Sequence, residues 1–151
     1  MPLIWNAAID AEVKRLVGRG VKVAASHLAK RIKQTLSVPA PRRRVQSKAG
    51  TYYYRATTKA TPGAPPRKLS GRLRASIAYE VDADGVTARV GTNVFYASIH
   101  ERGKRGSGGG YAGGKHPFLR HTLERVKHEV EAILGYEIKI DSVKWEPAVV
   151  S

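Results

Sequence analysis

Residues 70–91, SGRLRASIAYEVDADGVTARVG, decide the fold. Ser70 is placed to cap a short helix running through Ala75, because its hydroxyl can accept a bond from an otherwise orphaned amide. Ile77 to Val81 then reads as a strand. Asp82-Ala83-Asp84-Gly85 is a strong turn signal, Val86 to Val90 alternates as the return strand, and Gly91-Thr92-Asn93 closes it. Helical periodicity on both sides of this hairpin sets the class as α+β. A long N-terminal helix and a C-terminal helix pack on a small, mainly antiparallel sheet, with a long basic arm between.

Working toward the N-terminus, residues 4–35 carry a helical stripe: Val13, Leu16, Val17, Val21, Ala24, Leu28 and Ile32 recur at three- and four-residue steps. A continuous helix here would be roughly 45 Å long. Gly18 and Gly20 each weaken it by about 1 kcal/mol relative to alanine, so a kink or break is expected there. Val38-Pro39-Ala40-Pro41 ends it. Residues 37–68 read as an extended, irregular arm with Arg42, Arg43, Arg44, Lys48, Arg55 and Lys59, interleaved with Tyr52, Tyr53 and Tyr54. Three adjacent rings do not suit a purely solvated loop. A short strand from Thr51 to Thr57 is expected, one that can pair with a neighbouring molecule.

Working toward the C-terminus, Phe95 to Glu101 is a short helix or irregular strand that turns Tyr96 and Ile99 inward. Residues 103–116 form a glycine-rich loop. Pro117 suits a helix first turn. Phe118, Leu119, Leu123, Val126, Val130, Ile133 and Leu134 then form a clear apolar stripe, and Gly135 is the stop. Tyr136, Ile138 and Ile140 alternate with Glu137, Lys139 and Asp141 as a final half-buried strand, and 145–151 is a loose tail. The whole, 1–151, is expected to be a single domain.

The chain of 151 residues carries net charge +15. Residues 37–76 hold ten Lys/Arg and no acid, whereas residues 77–151 balance ten against ten. Positive charge concentrated on one segment points to an acidic or polyanionic partner. The absence of cysteine excludes disulfides and thiolate catalysis. No apolar run approaches the ~18 residues of a membrane span, and the N-terminus lacks a signal-peptide layout. A soluble chain, cytoplasmic when made, is expected.

Catalytic and cofactor chemistry finds little support. Gly109, Gly114 and Lys115 match the start of a phosphate loop, but His116 stands where the magnesium-binding Ser or Thr belongs. His121 and His128 are two helical turns apart, too far for one tetrahedral ion, and His116 and His121 diverge. Ser70, Ser76, Ser98 and His100 lie in no nucleophile elbow. No enzyme activity, cofactor or metal is expected. The basic arm carries the strongest signal. Its cations and tyrosines could contact phosphates and stack on bases, or dock on an acidic protein face.

The ordered motifs carry a resemblance. Ser70, Gly71, Leu73, Ser76 and Ile77, then Val90, Gly91, Thr92, Asn93, Tyr96 and Ala97, then Pro117, Phe118 and Leu119 resemble the head–tail joining proteins of long-tailed bacteriophages. These are neck, tail-completion or minor tail proteins. Related proteins of contractile-tailed phages share the Tyr96-Ala97-x-x-His100 turn. The resemblance implies a structural virion protein of the head–tail junction, made in the host cytoplasm. It implies a ring, sixfold in such proteins, that joins the head connector to a tail-terminator or tail-tube protein. Non-specific contact with genomic DNA in the lumen and no membrane partner follow from the same picture. The alternative function is a basic nucleic-acid-binding module.

Overall fold

The computed structural model describes residues 7–40, 42–56, 64–66, 68, 71–102 and 116–135. In chain order the elements are α1 (Ala7–Thr35), β1 (Arg42–Gln46), β2 (Tyr52–Ala56), α2 (Arg72–Ser76), β3 (Ala78–Val81), β4 (Ala88–Gly91), α3 (Ala97–Arg102) and α4 (Leu119–Leu134). The class is α+β, as expected. Helices α1 and α4 make the largest contact, and β3 and β4 pack on α1. The final strand at 136–140, the tail at 145–151, most of the glycine-rich loop and Ser70 lie outside the described residues.

Helices α1 and α4 run antiparallel. Thr122 near the start of α4 bonds Thr35 at the end of α1 through their hydroxyls at 3.0 Å, while the Ile133 carbonyl near the end of α4 approaches Gly20. Thr122 is the donor in this pair, which satisfies its buried hydroxyl, and the Thr35 hydroxyl donates in turn to the Arg31 carbonyl at 3.1 Å. Two apolar clusters lie along this seam. Ala24, Leu123, Val126 and Val130 form one. Ala29, Ile32, Leu36, Ile77, Ala97 and Phe118 form the other, with Leu28 packed against both. Full burial of a side chain such as Phe118 stabilises by roughly 2–3 kcal/mol.

The α1 stripe behaves in two ways. Val21, Ala24 and Ile32 are buried, but Val13, Leu16 and Val17 are exposed, Leu16 at 55%. The cause is length: the end of α4 reaches only the level of Gly20, so the first turns of α1 extend past their packing partner. The expected break at Gly18 and Gly20 does not occur, and α1 is one helix. Gly18 has a different reason. A Cβ there would sit 2.6 Å from the Gly85 carbonyl oxygen in the β3–β4 turn, so the missing side chain lets the turn lie on the helix.

That turn follows its sequence. The Asp84 carboxylate accepts the Val86 and Thr87 amides at 2.9 and 2.8 Å, and the Asp82 amide donates to the Thr87 carbonyl at 2.8 Å. Strands β3 and β4 are shorter or shifted relative to expectation. Ile77 is the residue after α2, with its side chain in the core, and β4 begins at Ala88. Gly91 is a strand residue opposite Ala78 and makes no tight turn. In the following segment the buried residues are Val94 and Ala97, whereas Ile99 is exposed and Tyr96 half-buried. The inward face of this short helix is therefore set one residue away from the expected one.

Candidate functional site

The arm is a hairpin on a pinned base. Strands β1 and β2 pair antiparallel, with Arg42 opposite Ala56, Arg43 opposite Arg55, Arg44 opposite Tyr54, Val45 opposite Tyr53 and Gln46 opposite Tyr52. The expected lone strand from Thr51 to Thr57, free for a neighbour, instead pairs within its own arm. Its turn makes this possible. Gly50 sits at φ +81°, its amide donates to the Ser47 carbonyl at 3.0 Å, and the Ser47 amide donates to the Thr51 carbonyl at 2.7 Å. The Ser47 hydroxyl accepts the Thr51 amide at 3.1 Å. A left-handed glycine closing such a loop is the geometry that lets short hairpins keep their twist.

The Arg44 guanidinium lies 3.9 Å above the Tyr52 ring centroid, a cation–π contact on an exposed ring. Lys48 stands exposed at the hairpin tip. Lys59 and the side chains of Arg42, Arg43, Tyr53, Tyr54 and Arg55 lie outside the described residues. The hairpin makes no extended contact with the rest of the described fold. Its base is closed instead. Pro39 bridges Lys68 in parallel, the Ala40 amide donates to the Lys68 carbonyl at 3.1 Å, and the Lys68 amide donates to the Val38 carbonyl at 2.8 Å.

The motif residues meet beside this base. Gly71, at φ +80°, occupies the N-cap of α2, with no side-chain cap bond, so the cap expected from Ser70 falls on a glycine. Ser76 ties to Thr92 through their hydroxyls at 2.5 Å, and Thr92 accepts the Val94 amide at 3.1 Å. The first two motifs are thus stitched together. Leu73 and Leu119 pack against the core holding Ile77 and Phe118. Asn93 is exposed. Tyr96, His100 and His116 form an edge-on aromatic row with centroids 6.0 and 6.4 Å apart. The His116 amide donates to the His100 carbonyl at 2.8 Å, and His116 Nδ1 lies 2.9 Å from the Ala64 carbonyl oxygen. Burial, with the nearby His116 second, holds the His100 imidazole below its ordinary value of 6.5.

Sequence reasoning missed two acidic anchors. Pro117 precedes α4 without entering it. The N-cap is Phe118, which has no capping side chain, and no acid occupies the first turn. Glu101, at the end of α3, supplies what is absent. Its Oε2 accepts the Phe118 and Leu119 amides at 2.9 and 3.0 Å, and its Oε1 accepts the Arg120 amide at 2.8 Å. The signal was the helix start itself: a first turn with no local cap must find an acceptor elsewhere.

The second anchor is Glu129 on α4. Its Oε2 lies 2.5 Å from His27 Nε2 and accepts from Arg31 Nε at 2.9 Å, while Arg31 Nη2 meets its Oε1. The Arg31 fork, with His27 second, pulls this carboxyl from its ordinary 4.5 to about 2. A depressed folded pKa contributes stability that is complete above the unfolded value and lost as pH falls through the folded one. Glu129→Gln is therefore expected to flatten the acid limb of a Tm-versus-pH curve between about 4.5 and about 2. Circular dichroism melts across that range check it.

Among the described residues no cluster of three or more His, Cys, Asp or Glu is placed to hold a metal ion. No described helix is long and apolar enough to cross a membrane. Compared with known proteins, the sequence matches the model of the phage virion morphogenesis family over residues 8–136. No curated protein and no solved structure shows a significant match. The matched span runs from the first turns of α1 past the end of α4 and includes the hairpin, both acidic anchors and every motif residue. The chain belongs to the phage virion morphogenesis family, and its role is structural, in the assembly of a phage virion.

Proposed function

We propose that the protein forms a ring at the head–tail junction of a tailed phage and joins the head connector to the tail terminator or tail tube, without catalysis. The observation that carries this reading is the surplus binding surface. The first turns of α1 present Val13, Leu16 and Val17 to solvent, Phe95 is 64% exposed, and the basic hairpin stands off the body on its own base. A ring requires two different, mutually fitting faces on each subunit. Exposed apolar residues on a projecting helix supply one, and a separate exposed patch supplies the other.

Electron microscopy of purified virions, with the protein labelled, is expected to place it in a ring at the joint. Labelled protein found elsewhere in the particle, or a strict monomer that joins no head or tail component, would sink the reading.

A second reading, DNA contact by the hairpin, is favoured by Arg44 over Tyr52, an arrangement that can serve phosphate and base alike. Replacing Arg42, Arg43 and Arg44 by alanine is expected to lower the slope of log affinity against log salt by about two to three units for duplex DNA. Filter binding at graded salt measures this, and an unchanged slope removes the hairpin from DNA contact.

A further inference from the structure

We infer that the groove between α1 and the outer edge of β3 is a docking site for an extended acidic segment of a partner protein, which adds to β3 as a third strand. The groove is open, with a volume of ≈ 660 Å³. Lys30 and Lys33 line it from α1, Arg74 from α2, and Ile77, Ala78 and Tyr79 from the start of β3. This inference deepens the assembly reading above by naming the chemistry of one partner.

Three observations carry it. First, the charge is one-sided. Among the described residues no acid lines the groove, and the side chains of Lys30, Lys33 and Arg74 make no hydrogen bond or ion pair. Two other α1 cations are paired, Arg15 with Glu12 and Arg31 with Glu129. Three neighbouring cations with no described counter-charge repel one another, and an anionic occupant relieves this.

Second, β3 has an edge that no described strand covers. Among the described residues it pairs only with β4, and Ala78, Tyr79 and Glu80 are all exposed. An uncovered edge presents a row of backbone donors and acceptors at strand spacing. Those groups match a polypeptide backbone, which donates and accepts in alternation, and a phosphodiester chain, which only accepts, does not. The edge therefore selects a peptide over a nucleic acid.

Third, the groove lies on the side of α1 away from α4. Gly20, Ala24, His27, Arg31 and Thr35 mark the α1 face toward α4. Lys30 and Lys33 stand on the other side of the helix by its 100° step.

The probe is a short fluorescent peptide alternating aspartate and valine, titrated into the full-length protein by anisotropy. Binding is expected, and Lys30→Glu with Arg74→Glu is expected to weaken it by about tenfold or more. Both residues are exposed, so the variant keeps its fold, verified by its circular dichroism spectrum. The same peptide N-methylated at alternate residues keeps its charge but cannot pair with an edge, and it is expected to lose binding. Equal binding of the N-methylated peptide, indifference to the double variant, or displacement by oligothymidylate of equal charge would each overturn the inference. The ring is scored separately by electron microscopy of the same variant. Wild-type rings that form while the peptide fails to bind the wild-type protein overturn the groove alone. Rings lost in the variant identify the groove as a contact between copies and overturn the foreign partner.

Discussion

Replacing Glu101 by alanine is expected to destabilise the protein by about 2 kcal/mol, a fall in Tm of roughly 5–8 °C. Its carboxylate accepts three consecutive amides at the start of α4, at 2.8 to 3.0 Å. These amides have no partner within the helix, and Phe118, one of the three donors, is fully buried. Alanine leaves the Phe118 amide to be solvated at the edge of the core, which costs more than an ordinary surface cap. The negative charge also lies at the positive end of the α4 dipole, so charge and geometry act together. Glu101→Gln keeps one acceptor oxygen and is expected to fall between wild type and alanine. Urea denaturation of the three proteins checks the order. Equal stability of alanine and wild type would mean that water replaces the carboxylate at no cost.

The second expectation is a contrast of sign between two glycines two residues apart in α1. Gly20→Ala is expected to stabilise by about 1 kcal/mol, because alanine is the better helix former and its Cβ meets only the Ile133 carbonyl oxygen, at an ordinary 3.6 Å. Gly18→Ala gains the same propensity but drives its Cβ to 2.6 Å from the Gly85 carbonyl oxygen. That obstacle is backbone in a turn held by Asp84, so it cannot swing aside. The turn must lift off the helix, at about 1–3 kcal/mol for overpacking, and the net change is destabilising. Thermal melts of the two variants settle the sign. A Gly18→Ala protein as stable as Gly20→Ala would show that the β3–β4 turn does not rest on α1.

These two sites show what was legible in the sequence. The α4 stripe of Leu123, Val126 and Val130 was readable because its period is local, and the Asp82–Gly85 turn because its chemistry lies within a few residues. The role of Gly18 was not: helix propensity sees a weak residue, while the reason for it lies across the fold at Gly85. Glu101 escaped because the glycine-rich loop separates it from the helix it caps. The arm misled in another way. Its arginines and prolines read as an irregular arm, whereas one left-handed glycine, Gly50, closes the turn that folds it back. Of the residues expected to act in assembly, Arg44, Lys48 and Tyr52 stand exposed on the hairpin, while the motif residues Leu73, Ile77, Phe118 and Leu119 serve packing.

The Pro39–Lys68 bridge has an evolutionary consequence. The bridge brings the two ends of the arm together, so the hairpin between them can lengthen, shorten or change composition without altering that junction. Loop-closure entropy grows only slowly with length, by about 0.6 kcal/mol per doubling. Such a socket lets one architecture be refitted to different attachment sites by exchanging the graft alone.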